Sequence, residues 1–412
     1  MKLSEVLKER GYAYQQSSET LEEITDGAKR TVYLGIDPSA DSLHIGNLMG
    51  LLVLRRFLED GHKVILLTGG GTGMIGDPGG KSEERNLLDE ETIKRNSTAV
   101  AAQIRKVFGT DDFTEVNNAA WLSKLSLLEF LRDIGKHFTV NSMIKKDIVH
   151  DRLAKESPIS FTEFSYSLLQ GYDYLHLNQE YGCDLQVGGS DQWSNILAGV
   201  EFIRRKTEKT VYALTWPLIV NKSTGKKFGK SESGAIWLDP KKTTPFEMYQ
   251  FLLNSEDDVV EEYLLKLTLL NWSDIEAIML GHKTDPSKRL AQRSLAIEVV
   301  TIVHGADAAH RAQLVTEALF GDAEISEEGW SAIATDAPSR KIAVGSPLID
   351  AIIESGLAES KTQARQFLSS GAIYLNGESL SDEKRLFEES DFSKGAAILK
   401  RGKRNISVLV KE

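Results

Sequence analysis

Short apolar runs alternate with helix-like apolar spacing along the first part of the chain. Residues 31–36 (TVYLGI) and 64–67 are compact apolar runs, which are typical of buried strands. Between them, residues 43–60 carry apolar side chains at helical spacing, and Asp41 or Ser42 stands where a helix N-cap is expected. A strand, a helix and a second strand in close succession form a βαβ unit. This unit predicts a parallel sheet with a right-handed crossover.

Later segments extend the same pattern. Further strands are predicted at residues 184–187 and 211–214, with helical periodicity between them. Alternating strands and helices are typical of a doubly wound, Rossmann-like α/β fold. The sequence therefore predicts a parallel-sheet α/β domain over residues 1–217.

The remainder of the chain divides by composition and apolar spacing. Residues 218–245 are rich in Lys, Ser, Thr and Gly and predict an exposed loop, whereas residues 246–320 predict a helical domain. Residues 321–345 are polar, with Gly, Ser and Pro, which indicates a linker. Residues 346–412 predict a small α+β module. Its predicted elements are helices at 347–355 and 360–369 and strands near 372–376 and 406–410.

Composition and charge restrict the classes of protein that fit. Of the 412 residues, 41% are hydrophobic and 26% are charged, which is typical of a globular chain of two or three domains. The net charge is -11, yet residues 345–412 hold ten Lys/Arg and ten Asp/Glu, so any RNA contact must use local basic patches. A single cysteine, Cys183, allows no intrachain disulfide. With no apolar leader and no apolar run near 18 residues, we expect a cytoplasmic protein without a membrane span.

The loop after the first strand, residues 37–47 (DPSADSLHIGN), can hold phosphate. In open α/β sheets ligands bind beyond the carboxyl ends of the strands, and a helix N-terminus presents free N–H groups and partial positive charge. His44 can donate to a phosphate oxygen, and Gly46 lets a ring lie against the backbone. The same residues also fit a plain helix start with a capping histidine and a packing glycine.

A second segment, residues 227–231 (KFGKS), places lysines among glycines. A lysine loop of this kind can close over a polyphosphate, and its charge can meet charge that develops on a leaving group. The alternative is a solvated lysine run on a loop. Taken together, HIGN after the first strand and KFGKS beyond the α/β domain resemble the HIGH and KMSKS motifs of class I aminoacyl-tRNA synthetases. Residues 161–173 (FTEFSYSLLQGYD) and 188–195 (GGSDQWSN) are similar to the tyrosyl-tRNA synthetases of bacterial type.

This resemblance implies an activity, ligands and an assembly. The family activates L-tyrosine with ATP to tyrosyl-adenylate, releases pyrophosphate and transfers tyrosine to the terminal ribose of tRNA(Tyr). It implies Mg²⁺ travelling with the ATP phosphates, no tightly bound cofactor and no dedicated protein metal site. It also implies a homodimer with an interface near residues 125–165, where Phe130, Leu131 and Phe161 are apolar.

The resemblance also implies roles for individual residues. For tyrosine, Tyr33 and Asp173 would face the phenolic hydroxyl, Asp77, Tyr166 and Gln170 would hold the ammonium, and Gln192 would lie near the carboxylate. The residues that would hold ATP are Asp37, His44, Gly46, Asn47, Gly189, Asp191 and Lys230. The residues that would stabilise phosphate charge during catalysis are His44, Lys81, Arg85, Lys227, Lys230 and Ser231. Without the resemblance, Tyr166 and Gln170 would fit packing on one helix face equally well.

The chain departs from the family pattern at three places. Asn47 replaces the last histidine of HIGH and can still donate a hydrogen bond. Phe228 and Gly229 replace the Met-Ser of KMSKS but leave both lysines and Ser231 in place. Leu34 stands where some members carry a polar residue, so it is given no ribose contact.

Residues 360–377 resemble the small RNA-binding module appended to bacterial tyrosyl synthetases. Lys361 and Arg365 would share one helix face. The residues that would contact tRNA phosphates are Lys361, Arg365, Lys400, Arg401, Lys403 and Arg404, with Arg204 and Arg205 as candidates for the acceptor arm. Each of these charges also fits a solvated surface.

Three other functions fit parts of the sequence. Residues 71–76 match the G-x-G-x-x-G pattern of dinucleotide-binding proteins, but the following Asp77-Pro78-Gly79-Gly80 breaks the helix that this pattern needs. A tryptophanyl-tRNA synthetase would share the fold and motifs, although Tyr33 and Asp173 favour a phenol over an indole. A non-catalytic RNA-binding paralogue would have no need of His44.

Overall fold

The computed structural model describes residues 1–77, 88–220, 228–231, 234–321, 323–402 and 405–412. These residues form two compact units. Unit 1 comprises residues 1–242 and 256–286, and unit 2 comprises residues 243–255 and 287–412. Among the described residues, no helix is both long and apolar enough to cross a membrane.

Unit 1 contains a six-stranded sheet in the order β1-β6-β5-β2-β3-β4. The strands are β1 (Gln15–Gln16), β2 (Thr31–Ile36), β3 (Lys63–Thr68), β4 (Thr114–Asn117), β5 (Leu185–Gly189) and β6 (Tyr212–Trp216). All neighbours are parallel except β1, which pairs antiparallel with β6. The chain runs outward from β2 through β3 to β4 and then returns to β5 on the other side of β2. This reversal creates a crevice at the carboxyl ends of β2 and β5, where doubly wound folds bind ligands.

Helices connect and cover these strands, as the sequence predicts for an α/β fold. The helices up to β6 are α1 (Leu3–Glu9), α2 (Leu21–Thr25), α3 (Leu48–Glu59), α4 (Glu90–Phe108), α5 (Ala119–Leu122), α6 (Leu127–Glu129), α7 (Val140–Ile144), α8 (Asp147–Ala154), α9 (Phe161–Tyr181) and α10 (Trp193–Thr207). After β6 come the two-residue strands β7 (Lys230–Ser231) and β8 (Gly234–Ala235), which pair antiparallel.

Helix α9 is the longest element among the described residues of unit 1, and it carries Tyr166, Gln170 and Asp173 of the predicted site. It begins at a capping box, in which Ser160 Oγ accepts from Glu163 N (3.2 Å) and Glu163 Oε2 accepts from Ser160 N (3.3 Å). It ends at Gly182, whose φ of 66° suits a glycine C-cap. A buried cluster that includes Tyr174 and Leu177 fixes the helix against the sheet, so the side chains on its inner face have fixed positions.

Two helices of the predicted helical domain belong to unit 1. They are α12 (Val260–Leu267) and α13 (Trp272–Thr284). The buried guanidinium of Arg10 donates to the carbonyl oxygens of Leu265 (2.8 Å) and Thr268 (2.7 Å). These bonds satisfy carbonyls at the end of α12 with a residue from the start of the chain, a pairing that apolar spacing cannot reveal.

Unit 2 combines helices with a five-stranded sheet. Its helices are α11 (Pro245–Leu253), α14 (Leu290–His304), α15 (Ala306–Phe320), α16 (Glu327–Asp336), α17 (Leu348–Glu354) and α18 (Lys361–Ser369). Its strands are β9 (Ser339–Ile342), β10 (Ile373–Leu375), β11 (Glu378–Leu380), β12 (Ala396–Arg401) and β13 (Asn405–Lys411), in the order β11-β10-β12-β13-β9. The predicted linker therefore contains α16 and β9. Strand β9 has only one apolar residue, Ile342, and forms because it pairs in parallel with β13.

Candidate active site

A cavity of about 390 Å³ opens at the carboxyl ends of β2 and β5. All six residues predicted to contact tyrosine and six of the seven predicted to hold ATP line this cavity. They are Tyr33, Asp77, Tyr166, Gln170, Asp173 and Gln192, and Asp37, His44, Gly46, Asn47, Gly189 and Asp191. The structure therefore brings these residues together in the crevice where the strand order reverses.

The other residues predicted to stabilise phosphate charge are Lys81, Arg85, Lys227, Lys230 and Ser231. Lys81, Arg85 and Lys227 lie outside the described residues. Lys230 and Ser231 form β7, in which they oppose Ala235 and Gly234. Phe228, which precedes β7 by two residues, lines the cavity.

Backbone hydrogen bonds join the first motif to the second. Ile45 N donates to Ile236 O (2.8 Å), and Ile236 N donates to Gly229 O (2.9 Å). Gly46 lies directly against this segment, because a Cβ on Gly46 would lie 2.9 Å from the carbonyl oxygen of Phe228. His44 and Gly46 of the first motif and Phe228 of the second therefore meet in the lining of the cavity.

His44 caps the turn in which it stands. Its Nδ1 accepts from Gly46 N (3.1 Å), and its own N–H donates to Asn47 Oδ1 (3.1 Å). A neutral imidazole that accepts at Nδ1 carries its proton on Nε2, so the ring can donate from that atom. The predicted capping role and the predicted donor role of His44 are compatible.

The predicted cap at Asp41 or Ser42 is wrong. A 3-10 turn over Ile45–Asn47 precedes α3, so the helix begins later than the sequence suggests. Ser42 Oγ instead donates to Leu43 O (2.8 Å), and Asp41 forms an ion pair with Lys242. Ser42 Oγ also accepts from Gln103 Nε2 (3.0 Å) and Asp239 N (3.1 Å), so both side chains hold the loop to other segments of unit 1.

Asp37 is held at both carboxylate oxygens. Thr72 Oγ1 donates to Oδ1 (2.8 Å), and the hydroxyl of Tyr166 donates to Oδ2 (2.8 Å). Burial, followed by the charge of Asp37, raises the pKa of Tyr166 well above its usual value, so the phenol remains a donor. These bonds fix the carboxylate between the end of β2 and the inner face of α9.

Asp173 lies at the inner end of the cavity, where it is 3% exposed. Its Oδ1 accepts from Trp121 Nε1 (2.7 Å), and its Oδ2 accepts from Asn118 Nδ2 (2.9 Å). Burial raises the pKa of this carboxyl to about 7, although the two donors oppose that shift. The hydroxyl of Tyr33 is buried nearby in the lining and has no hydrogen-bond partner among the described residues. The inner end therefore presents a carboxylate and an unpaired phenol.

A third group of polar side chains surrounds Asp77. Gln192 Nε2 donates to Asp77 Oδ2 (2.6 Å), and Gln192 Oε1 accepts from Asn195 Nδ2 (3.4 Å). Lys146 Nζ is 3.5 Å from Asn195 Oδ1, and burial lowers its pKa to about 8 while Asp77 opposes the shift. The carbonyl oxygen of the Gln170 side chain is buried with no hydrogen-bond partner in the described part of the chain. Buried polar atoms of this kind are costly unless a ligand satisfies them.

Sequence reasoning missed four polar or aromatic residues of this site. They are Thr72, Asn118, Trp121 and Lys146. Thr72 and Asn118 follow β3 and β4, so recognition of β4 would have pointed to Asn118. That strand (TEVN) has no apolar run, because its side chains lie largely at the surface. Trp121 and Lys146 carry no signal in the sequence, since their partners are distant along the chain.

The glycine pattern at residues 71–76 does not form a dinucleotide site. Residues Thr72–Met74 form a single 3-10 turn, and Gly76 has a φ of 84°. The third glycine of a dinucleotide fingerprint lies inside a helix. In this segment Thr72 instead donates a hydrogen bond from its hydroxyl to Asp37.

The residues predicted to contact RNA differ in their partners within the protein: some form surface ion pairs, and others bond to backbone carbonyls. Arg204 and Arg205 are exposed and both pair with Glu201 (2.8 and 2.6 Å). Lys361 pairs with Asp350 (2.8 Å) and Arg365 with Glu383 (3.3 Å), again at the surface.

Lys400 and Arg401 bond to the protein backbone instead. Lys400 Nζ donates to Leu319 O (2.9 Å), and Arg401 Nη1 donates to Leu357 O (2.7 Å). The guanidinium of Arg401 also lies 4.8 Å from the ring centroid of Phe367. Both side chains therefore have internal partners. Lys403 and Arg404 lie outside the described residues.

Two family models match most of the chain. Residues 25–321 match the tRNA synthetases of class I for tryptophan and tyrosine (W and Y), and residues 330–409 match the tyrosine–tRNA ligase SYY-like C-terminal domain. The chain is 45% identical over 416 residues to a tyrosine–tRNA ligase of Roseiflexus castenholzii, with 98% of each covered. It is 46% identical over 413 residues to one of Staphylococcus carnosus, with 97% of this chain and 98% of the relative covered.

Solved structures agree with the sequence comparisons. A C-terminally truncated mitochondrial tyrosyl-tRNA synthetase of Aspergillus nidulans superposes with a TM-score of 0.69 at 32% identity, covering 77% of this chain and 94% of that one. The chain belongs to the class I aminoacyl-tRNA synthetases, in the tryptophan and tyrosine family. Its full-length relatives and its C-terminal match place it among the bacterial-type tyrosine–tRNA ligases.

Proposed function

We propose that the cavity of unit 1 binds L-tyrosine and ATP, joins them as tyrosyl-adenylate and then transfers tyrosine to the terminal ribose of tRNA(Tyr). The observation that carries this proposal is the inner end of the cavity. A buried carboxylate, Asp173, is fixed there by two donors, and the hydroxyl of Tyr33 has no hydrogen-bond partner among the described residues.

A phenol satisfies both groups. Its O–H donates to Asp173 and its oxygen accepts from Tyr33. An indole N–H only donates, so tryptophan would leave the Tyr33 hydroxyl without a partner. Phenylalanine offers neither group, so it would leave the Tyr33 hydroxyl unpaired and would give Asp173 no donor beyond Trp121 and Asn118. The cavity therefore favours tyrosine over both other aromatic amino acids.

The polar groups nearer the cavity mouth suit the amino-acid backbone. We assign the ammonium to Asp77, Tyr166 and the Gln170 side-chain oxygen, which are acceptors in the lining of the same cavity. Tyr166 can accept because its proton already goes to Asp37. Gln192 is assigned to the carboxylate.

ATP would bind where the two motifs meet in the lining of the cavity. Asp37, Gly46, Gly189 and Asp191 are assigned to the adenosine half, with His44 and Asn47 at the phosphates. Mg²⁺ enters as part of the MgATP substrate. The residues assigned to the charge on the leaving pyrophosphate are Lys81, Arg85, Lys227, Lys230 and Ser231.

The proposed chemistry needs positioning rather than a general base. The carboxylate of tyrosine is ionised already and attacks the α-phosphorus in line, as pyrophosphate leaves. Asp37, held by Thr72 and Tyr166, links the two substrate sites, because Tyr166 also faces the tyrosine end. Fixed groups of this kind cost little reorganisation during the reaction.

Exposed cations are proposed to contact tRNA. Lys361 and Arg365 extend from the surface of unit 2, and Arg204 and Arg205 from that of unit 1. Lys403 and Arg404 are proposed on sequence alone. Lys400 and Arg401 stay candidates, although their bonds to backbone carbonyls favour a structural role.

Exposed apolar side chains within residues 125–165 are proposed as part of the interface of a homodimer. Within residues 125–165, Leu128 is 78% exposed and Phe161 is 73% exposed, and Leu127, Leu131 and Val140 are exposed beside them in sequence. Phe130 differs, because it packs partly against the core. Clusters of large exposed apolar side chains are typical of association surfaces. A second copy of the chain is the proposed occupant.

Further proposals rest on the sequence. We propose that the enzyme acts in the cytoplasm and that residues 1–217, 246–320 and 346–412 are its functional domains, joined by the loop at 218–245 and the linker at 321–345.

Amino-acid-dependent exchange of pyrophosphate into ATP tests the activation step. Strong rejection of phenylalanine is a general property of tyrosyl-tRNA synthetases, so tryptophan is the informative competitor. We expect exchange with tyrosine and at least about tenfold less with tryptophan, because an indole leaves the buried Tyr33 hydroxyl unpaired. Equal exchange with tryptophan would overturn the assignment of Tyr33 and Asp173.

A further inference from the structure

The indole of Trp121 is held between two side chains of α9. Its Nε1 donates to Asp173 Oδ1 (2.7 Å), and its face stacks on the imidazole of His176, with 4.2 Å between ring centroids and 25° between planes. Asp173 and His176 are three residues apart, so they lie on one side of the helix. A single helix therefore fixes both the N–H and the plane of one indole.

Trp121 needs such support because its own element is short. It belongs to α5, a helix of four residues (Ala119–Leu122). Rotation of the indole about its side-chain bonds would turn Nε1 away from Asp173, and a hydrogen bond weakens steeply as its angle departs from linear. Contact with His176 restricts that rotation.

We propose that His176 is a positioning residue, which holds the Trp121 N–H on Asp173 and thereby sets how strongly the site prefers a phenol to an unsubstituted ring. This inference rests on the proposed role of Asp173 in accepting the phenol. Without the Trp121 donor, Asp173 would keep only Asn118, and burial would favour the protonated carboxyl. A protonated carboxyl cannot offer the same charged acceptor to a phenol.

His176 and Trp121 both line a second cavity, of about 750 Å³, which is separate from the tyrosine site. The aromatic residues of its lining are Trp121, Tyr172, His176 and Tyr181. The charged groups of its lining are Glu115, Lys124, Glu129, Asp133 and Lys206, and Glu180 follows His176 by one helical turn. Burial lowers the pKa of His176, Glu180 raises it and Lys124 lowers it. The imidazole is therefore neutral near pH 7 and gains a proton in acid.

Three variants separate positioning from packing. His176→Ala removes the stack, His176→Phe keeps a flat ring that cannot titrate, and Tyr181→Ala changes the same cavity away from Trp121. In pyrophosphate exchange at pH 8, we expect His176→Ala to raise KM for tyrosine about tenfold and to lower the tyrosine-to-phenylalanine ratio of kcat/KM about tenfold. The KM for ATP of His176→Ala should stay within about twofold of the wild-type value. For His176→Phe and Tyr181→Ala, the KM for tyrosine, the KM for ATP and the amino-acid ratio should all stay within about twofold of wild type.

Trp121 fluorescence gives a readout that does not depend on catalysis. The emission of Trp121 is obtained as the difference between the wild-type protein and Trp121→Phe, measured from pH 8 to pH 5. Because a protonated imidazole quenches a stacked indole, emission should fall in acid in the wild-type protein. In a His176→Phe background that step should be absent, while any change due to Asp173 remains.

The outcomes are distinct. Unchanged tyrosine KM and amino-acid ratio in a folded His176→Ala variant, checked by its thermal melting and its ATP KM, would overturn the proposal. The same acid quenching in His176→Phe would also overturn it. If Asp173→Asn left tyrosine KM unchanged, the role of Asp173 itself would fail, even with the fluorescence step present.

Discussion

Gly46 lies so close to Phe228 that a Cβ on Gly46 would stand 2.9 Å from the Phe228 carbonyl oxygen. The same Cβ would lie 2.8 Å from Cε1 of the His44 ring. Segments 37–47 and 228–231 therefore meet at Gly46, where any added side chain would have to displace the His44 ring or the Phe228 backbone.

Gly46→Ala should consequently slow tyrosine activation. The added methyl group must displace either the His44 ring or the backbone of the second motif, so we expect kcat for pyrophosphate exchange to fall by about tenfold to a hundredfold. Tyrosine affinity, measured by equilibrium dialysis without ATP, should change little. Gly27→Ala is the matched control, because its Cβ would stand 3.9 Å from the nearest atom, the carbonyl oxygen of Glu23. A Gly46→Ala enzyme with full kcat would contradict the close contact.

Tyr166→Phe should weaken the binding of tyrosine. The change removes the donor to Asp37 Oδ2 and one proposed acceptor for the ammonium. A hydrogen bond to a charged group contributes about 1.5–3 kcal/mol, so the Kd for tyrosine should rise at least about tenfold. Equilibrium dialysis measures it, with Tyr14→Phe as the control at a side chain that is 62% exposed. Equal affinities for Tyr166→Phe and wild type would remove Tyr166 from the ammonium site.

The sequence predicted the parts of this site that are local. The β2–α3–β3 unit follows from apolar spacing. Of the four motifs that carry the resemblance, residues 37–47 lie in the loop between β2 and α3, and residues 161–173 lie on α9. Residues 188–195 lie at the end of β5, and Lys230 and Ser231 of the last motif form β7. The convergence of the first three follows from the strand order, since β2 and β5 are neighbours in the sheet.

The parts that depend on tertiary contacts could not be predicted. Arg10 donates hydrogen bonds to backbone carbonyls at the end of α12, which lie more than 250 positions away along the chain, and so connects α12 to the start of unit 1. Strand β9 lacks an apolar pattern and exists through its pairing with β13. Trp121 acquires its role only where α5 meets α9.

Leu128→Asp should break the proposed homodimer. A charge in a buried apolar interface carries a desolvation cost that association cannot recover. Light scattering coupled to gel filtration should report a monomer mass at low micromolar concentration. Leu280→Asp is the control, since Leu280 is 70% exposed on α13, outside residues 125–165. If both variants kept the wild-type mass, the interface would lie elsewhere.

Removal of residues 322–412 should separate the two reactions. The cut falls between the two family matches, and it removes β9 together with its partner β13. A cut at residue 346 would leave β9 without that partner. We expect pyrophosphate exchange within about twofold of wild type and no measurable tyrosylation of tRNA.

A full-length variant, Lys361→Glu with Arg365→Glu, serves as the companion to this truncation. It should lower tRNA affinity and flatten its salt dependence while leaving exchange intact. Loss of exchange on truncation would instead give the removed residues a structural role.

The raised pKa of Asp173 predicts a dependence of stability on pH. Burial lifts this pKa from 3.8 to about 7, so the folded state holds the proton more firmly than the unfolded chain. The contribution of this pKa shift to the free energy of unfolding is fully present below about pH 4 and is lost as pH rises through about 7. At about 1.4 kcal/mol per pKa unit, the loss approaches roughly 4 kcal/mol by pH 8.

Asp173→Asn removes this titration. The melting temperature of the variant, relative to wild type, should therefore rise by roughly 5 °C between pH 5 and pH 8. Its absolute value also contains the cost of placing the Asn amide against the Asn118 donor, so the change with pH is the informative quantity. The exposed Asp112→Asn should track wild type throughout this range. Parallel melting curves for Asp173→Asn and wild type would show that Asp173 ionises in the folded enzyme as it does in water.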